Sequence, residues 1–114
     1  MSKIKKSSED QQRIAQTILS QLGGNMFVRM TGARHLVALD SGLQFKLPEE
    51  DFMLKDDVNC LRIELRANDT YTVEAWTIDH GDLNNSKKKS THDNIYNDQL
   101  APLFTQLTGL NTSL

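Results

Sequence analysis

Apolar residues near the N-terminus recur at intervals of three and four positions, which is the spacing of one face of a helix. The residues that define this face are Ile14, Ile18, Leu19 and Leu22. Polar side chains fill the remaining positions, and the Gly23-Gly24 pair supplies a stop. The pattern predicts an amphipathic helix over residues 9–22, preceded by a flexible basic tail over residues 1–8.

The hydrophobic pattern changes to alternation after Asn25, because single residues separate Met26, Val28 and Met30. Alternation of this kind is typical of a β-strand with one buried face. Gly32 interrupts the run. We therefore expect a leading strand between Asn25 and Gly32, ahead of the rest of the sheet.

Two further alternating runs cover residues 35–39 and 43–47, so we expect a hairpin. One register places the apolar side chains of both runs on the same face. Its pairs are Leu39 with Leu43 and Val37 with Phe45. This register leaves a three-residue connection that ends at Gly42, at a position that requires a left-handed residue.

A second hairpin is predicted from alternation over residues 60–66 and 71–75. The apolar side chains on its predicted inner face are Leu61, Ile63, Leu65, Tyr71, Val73 and Ala75. Only an odd connection keeps both sets on one face, so we expect a three-residue turn over residues 67–69. The outer face of this hairpin carries Trp76 and Ile78.

Residues 79–93 are polar and rich in turn-forming side chains, so they predict the longest exposed loop of the chain. After this segment the apolar residues return to helical spacing. They are Tyr96, Leu100, Leu103, Phe104 and Leu107. The spacing predicts a C-terminal helix that packs on the sheet and ends at Gly109.

A chain of 114 residues can bury one hydrophobic core, so we expect a single domain over residues 9–114. Its predicted class is α+β. The expected antiparallel sheet has about five strands, made of the two hairpins and the leading strand, and is flanked by an N-terminal and a C-terminal helix. Hydrophobic residues form 38% of the chain and charged residues 25%, which is an ordinary globular balance.

Charge and cysteine content restrict the function. The net charge is −2 at pH 7, whereas proteins dedicated to duplex DNA usually carry a basic excess. The single cysteine, Cys60, excludes a disulfide framework and a cysteine-rich metal site. No stretch reaches the roughly 18 apolar residues of a membrane-spanning helix. These features predict a cytoplasmic protein without a membrane partner.

Metal-ligating side chains occur in the polar segment, where His80 and Asp82 are followed by His92. Imidazole and carboxylate groups bind divalent metals, so one hypothesis is a small metal-dependent enzyme built on residues 79–93. A solvated loop is the alternative, because the spacing matches no fixed ligand pattern. We expect no cofactor. Cys60 begins an apolar strand, where a buried thiol stays protonated and unreactive.

Basic residues recur along the strands of the predicted sheet. They are Arg29, Arg34, Arg62 and Arg66. With Trp76 and Phe27 nearby, they form the combination of charge and stacking surface that single-stranded nucleic acid binders use. An ordinary solvated sheet face is the alternative, because Glu64 and Glu74 interrupt the same face.

Three segments of the chain carry a resemblance. They are QLGGNMFVRMTGA, LQFKLP and YNDQLAPLFTQLTGLNTSL. Together, over roughly residues 21–114, they resemble a family of small uncharacterised proteins of bacteriophages and bacterial mobile elements. The resemblance implies a bacterial host cell and no enzymatic activity, and it carries over no functional residue. Pro102 and the lysines of residues 87–89 depart from the pattern.

Our leading expectation is a non-enzymatic binding protein of phage or mobile-element origin. It would bind a host or element macromolecule, either a protein or a nucleoprotein, including in counter-defence. Single-stranded nucleic acid binding and metal-dependent catalysis are the alternatives. Binding residues concentrate on loops and partly exposed aromatics. The partner contact is predicted at Trp76, Ile78, Lys87, Lys88 and Lys89.

Overall fold

The computed structural model describes residues 8–48, 58–78 and 86–112. In chain order the elements are α1 (Ser8–Leu22), α2 (Gly24–Thr31), β1 (Arg34–Leu39), β2 (Gly42–Lys46), β3 (Cys60–Leu65), β4 (Tyr71–Thr77), β5 (Lys87–Ile95), a 3-10 turn (Asn97–Gln99) and α3 (Leu100–Thr108). The predicted α+β class and both predicted helices are confirmed. Residues 1–7 of the predicted tail lie outside the described residues.

The predicted leading strand is wrong, because residues 24–31 form helix α2. A short apolar run fits both the helical and the strand period, and packing decides between them. Here Phe27 and Thr31 are both buried, four residues apart on one side of the helix. The Thr31 hydroxyl donates a hydrogen bond to the Phe27 carbonyl at 2.7 Å. Gly32, at φ 72°, ends the helix in a left-handed conformation.

The sheet has the order β1-β2-β3-β4-β5, and all neighbouring strands are antiparallel. The predicted number of strands is confirmed, but the fifth strand is β5 rather than the leading strand. Part of the predicted loop over residues 79–93 is therefore wrong, since residues 87–93 belong to β5. Residues 79–85 lie outside the described part of the chain. Apolar and polar residues do not alternate along β5, because β5 is an edge strand whose pairing with β4 shifts register at two places.

The first hairpin exists, but its predicted register is wrong. Leu39 pairs with Gly42, so the connection has two residues, and Val37 pairs with Gln44 rather than Phe45. Gly42 has no left-handed backbone. A side chain there would instead collide with the carbonyl oxygen of Ile63 on the next strand, so close approach explains the glycine.

The second hairpin has the predicted register. The Arg66 N–H donates to the Thr70 carbonyl at 2.8 Å, which encloses a three-residue turn over residues 67–69. Asp69, the last residue of this turn, has a positive φ of 64°, as three-residue hairpin turns require. Cross-strand pairs place Ile63 opposite Val73, and both are buried.

The core lies between the helices and one face of the sheet, called here the inner face. Its buried strand residues are Leu43, Phe45, Leu61, Ile63, Tyr71, Val73 and Ala75. Three aromatic rings join the layers, because Phe27 of α2 packs edge-on against Phe45 at 5.3 Å and against Phe104 of α3 at 5.0 Å. The helices thus cover the inner face, and the opposite side of the sheet, the outer face, carries the alternate residues of each strand.

Helix α3 accommodates Pro102 without losing a hydrogen bond. Leu100 is its first residue, so Pro102 lies in the first turn, where backbone N–H groups have no partner within the helix. Gly109, at φ 81°, ends the helix as predicted, and its N–H donates to the Thr105 carbonyl. Across residues 8–48, 58–78 and 86–112, no helix has the length and apolar character needed to cross a membrane.

Candidate binding face of the sheet

Strand pairing aligns the side chains of the outer face in rows that cross all five strands. One row, called here the basic row, consists of Arg34, Lys46, Cys60, Trp76 and Lys88. The row beside it, the central row, consists of Val37, Gln44, Arg62, Glu74 and Thr91. Directly paired residues project from the same side of an antiparallel sheet, so each row forms a continuous strip of side chains.

Charge is distributed unevenly along the outer face. The basic row holds three cationic side chains and no carboxylate, and Arg62 adds a fourth cation from the central row. Glu74 is the single carboxylate of these two rows. The acidic residue Glu64 lies further along, opposite Gly42 and Thr72. Among the described residues, one end of the face is therefore cationic although the whole chain carries a net charge of −2.

Trp76 is the aromatic residue within the basic row, and its ring is half-buried. Its indole N–H donates a hydrogen bond to one carboxylate oxygen of Glu74 at 3.0 Å. The other oxygen of Glu74 lies 3.4 Å from the ammonium nitrogen of Lys88. The same ammonium nitrogen lies 5.8 Å from the centroid of the Trp76 ring. These contacts fix the orientation of the indole on the sheet.

Arg62 is also held in place. Its Nε and Nη2 atoms donate to the side-chain oxygen of Gln44 at 3.2 and 3.0 Å. A neutral amide orients the guanidinium without cancelling its charge, so Arg62 keeps the ability to bind an anion. Both partners lie on adjacent central strands, β2 and β3, which are paired on both sides.

A pocket of about 380 Å³ opens beside Trp76 on the outer face. Its lining residues come from β2, β3, β4 and the segment before β5. They are Gln44, Lys46, Cys60, Arg62, Trp76, Ile78 and Ser86. This volume lies in the range of about 300–1,000 Å³ that is usual for small-ligand sites. The hydroxyl oxygen of Ser86 is buried and has no hydrogen-bond partner among the described residues.

A buried thiol, that of Cys60, lines this pocket. Cys60 is 3% exposed. Burial raises the pKa of its thiol, although the nearby charges of Lys46 and Arg62 act in the opposite direction. The thiolate is the nucleophilic form, so a protonated thiol has little reactivity. Cys60 therefore contributes apolar surface to the pocket, in agreement with its predicted structural role.

A polar cluster occupies the far end of the outer face. The Nε atom of Arg66 donates to the Thr72 hydroxyl at 2.9 Å, and this hydroxyl donates to the carboxylate of Asp93 at 2.8 Å. Arg66 is thereby connected to a carboxylate on the edge strand β5. The cluster lies near a second, more open pocket of about 440 Å³.

The structure divides the predicted nucleic-acid residues among three places. Arg34 and Arg62 lie on the cationic end of the outer face with Trp76, and Arg66 lies at the far end. Arg29 lies on α2, away from the strands. Phe27 is fully buried in the core, so it cannot stack on a ligand.

The predicted partner-contact residues are brought together only in part. Trp76 and Ile78 line the pocket, and Lys88 lies opposite Trp76. Lys87 pairs with Thr77 instead, and Lys89 lies at a register shift. The sequence analysis missed Gln44 and Lys46, although both alternate with the buried residues of β2 and could have been assigned to the outer face. No sequence signal pointed to Ser86.

Of the predicted metal ligands, only His92 lies in the described residues, and it is separated from this face. His92 lies opposite Val73, whose side chain belongs to the inner face, and its Nε2 atom lies 3.1 Å from the Ser90 hydroxyl. His80 and Asp82 lie outside the described residues. Within the described ranges, no group of three or more His, Cys, Asp or Glu side chains is arranged to hold a metal ion.

Comparisons with known proteins identify no relative. No protein-family model, no curated protein and no solved structure matches this chain.

Proposed function

We propose that this chain is a non-enzymatic binding protein that holds single-stranded nucleic acid on the cationic end of its outer sheet face. The observation that supports this proposal is the basic row, in which an aromatic ring lies among cationic side chains on one surface. Single-stranded nucleic acid binders combine these two features, because cations contact phosphates and aromatic rings stack on bases.

The charge pattern favours a polyanion over an ordinary protein partner. The basic and central rows together hold four cationic side chains, Arg34, Lys46, Arg62 and Lys88, and one carboxylate, Glu74. Glu74 already accepts a hydrogen bond from Trp76 and lies 3.4 Å from the ammonium nitrogen of Lys88. The charge of Lys88 offsets that of Glu74, so Glu74 repels an incoming phosphate less than an unpaired carboxylate would.

The position of Trp76 favours single-stranded over double-stranded nucleic acid. Its half-buried ring lies on the sheet surface, where it can reach only a base that is not paired and stacked inside a duplex. The acidic net charge of the chain also disfavours the extended phosphate contacts of duplex binding. We therefore expect the ligand to be a nucleic acid with unpaired bases, bound along the short cationic strip formed by the basic row.

A binding assay with matched variants tests the proposal. Fluorescence anisotropy of a labelled single-stranded oligonucleotide is measured at low and high salt, together with a duplex of the same sequence. We expect the single strand to bind more tightly than the duplex, with an affinity that falls as salt rises. Trp76→Ala and Arg62→Ala together should abolish binding.

The control is Arg13→Ala, which removes an equal charge from an exposed position on α1. It should bind like the parent protein. Absence of binding at low salt would reject nucleic acid as the ligand, and capture of a protein by the same face would support the original expectation of a protein partner. The phage or mobile-element origin and the cytoplasmic location both stay predictions.

A further inference from the structure

The pocket beside Trp76 lies within the proposed binding face, and its lining is chemically divided. Trp76, Ile78 and Cys60 supply apolar surface, whereas Lys46 and Arg62 supply positive charge. A ligand that suits both parts has a flat apolar ring joined to an anionic group. A nucleotide has this composition, since a base can stack on an indole while its phosphate contacts cations.

The walls of the pocket are fixed before any ligand arrives. Asn59 holds the backbone of Ile78 through two hydrogen bonds, of 3.0 Å to its carbonyl oxygen and 2.8 Å from its N–H. Glu74 fixes the Trp76 ring, and Gln44 fixes the Arg62 guanidinium. A preformed pocket loses little conformational freedom on binding, which favours affinity.

Polar groups in the pocket can read the edge of a base. Gln44 uses its side-chain oxygen to accept hydrogen bonds from Arg62, so its amide N–H groups are the part that can donate to a ligand. Ser86 also lines the pocket, but its hydroxyl oxygen is buried and therefore out of reach of a ligand.

We infer that this pocket takes one nucleobase of the bound single strand, stacked against Trp76, with the adjoining phosphate at Lys46 and Arg62. This inference rests on the proposed function and names its specific subsite. The basic row would hold the backbone, and the pocket would make binding depend on the bases.

The test compares two oligomers of equal length and charge, a ten-residue oligothymidylate and a ten-residue oligomer without bases. Trp76 is the one tryptophan of the chain, so quenching of its fluorescence reports directly on the pocket. We expect the oligomer with bases to quench Trp76 and to bind at least about fivefold more tightly, which is the gain expected from stacking one base.

Two variants test whether the higher affinity for the oligomer with bases arises in this pocket. Trp76→Leu keeps an apolar side chain but removes the stacking ring, so the affinity difference between the two oligomers should vanish. Gln44→Met removes the amide donors and also the oxygen that holds Arg62, so it should weaken both oligomers, and the oligomer with bases more strongly. Circular dichroism and thermal melting confirm that both variants are folded.

The outcomes separate the two proposals. Equal affinity for both oligomers, with unchanged Trp76 fluorescence, would overturn the base pocket and leave phosphate binding on the outer face intact. Failure of both oligomers to bind at low salt would overturn the proposed function itself. A base-dependent affinity that survives in Trp76→Leu would also overturn the assignment of the base to this pocket.

Discussion

The indole N–H of Trp76 donates a hydrogen bond to the carboxylate of Glu74 at 3.0 Å, between side chains two residues apart on β4. Residues at this separation project from the same face of a strand, so the pair lies side by side on the outer face. Glu74 therefore has two effects. It orients the proposed stacking ring, and it places the single negative charge among the cations of the basic and central rows.

Glu74→Gln should strengthen nucleic acid binding. Glutamine keeps an oxygen that can accept from Trp76, but it removes the negative charge close to the proposed phosphate positions. We expect the affinity to rise by about two- to fivefold, which corresponds to a charge interaction worth up to about 1 kcal/mol. Fluorescence anisotropy at low salt measures this change, and a lower affinity would contradict the proposed role of the charge.

Adjacent lysines on β5 provide a matched pair of variants. Lys88 lies opposite Trp76 on the outer face, whereas Lys87 lies opposite Thr77, one position along and therefore on the other side of the strand. Lys88→Ala should reduce the slope of log affinity against log salt by about 0.7, as expected for one lost phosphate contact on a single strand. Lys87→Ala should leave the slope unchanged. Equal effects of the two variants would show that the nucleic acid does not bind on the outer face beside Lys88.

Phe104 is expected to be a major source of stability. Its ring is 1% exposed and packs against Phe27 of α2. Phe104→Ala should lower the free energy of unfolding by about 3–5 kcal/mol, because it leaves a cavity between the helices and the sheet. Urea denaturation measures the loss. The exposed α1 variant Gln12→Ala should stay within about 0.5 kcal/mol of the parent, and a similarly small loss for Phe104→Ala would show that α3 is not docked.

The Cys60 thiol predicts a pH dependence of stability. Its pKa is raised chiefly by burial, so the folded protein retains the thiol proton more strongly than the unfolded chain. This contribution is fully present below the unfolded pKa of about 8.5 and is lost as the pH rises through the folded pKa. The free energy of unfolding of the parent protein, relative to that of Cys60→Ala, should therefore fall as the pH rises above about 8.5. A rise over this pH range would show that the thiolate is the favoured form.

Periodicity predicted the elements whose burial follows one clear pattern. The N-terminal helix and the second hairpin have long, regular apolar sets, so their type and register followed from the sequence. The alternation of Met26, Val28 and Met30 with other residues predicts a strand, but residues 24–31 form a helix. The residues of this segment that are buried in the core are Phe27 and Thr31, which have helical spacing. In this run the burial of one aromatic ring outweighed the local pattern.

Tertiary pairing explains the other errors. β5 carries mainly polar and exposed residues, and only its pairing with β4 makes it a strand. Of the candidate site, Trp76 and Arg62 could be placed on one face from alternation alone. The pocket could not be predicted, because it depends on the alignment of β2, β3 and β4, which brings Lys46, Cys60 and Trp76 into one row.

The most direct test of the binding face is a titration of the isotope-labelled protein with a ten-residue oligothymidylate, followed by amide and indole NMR chemical shifts. We predict that the indole N–H signal of Trp76 and the amide signals of β2, β3 and β4 shift most, whereas those of α1 and α3 stay in place. Shifts confined to the helices, or no shifts at low salt, would contradict the claim that the outer face of the sheet binds single-stranded nucleic acid.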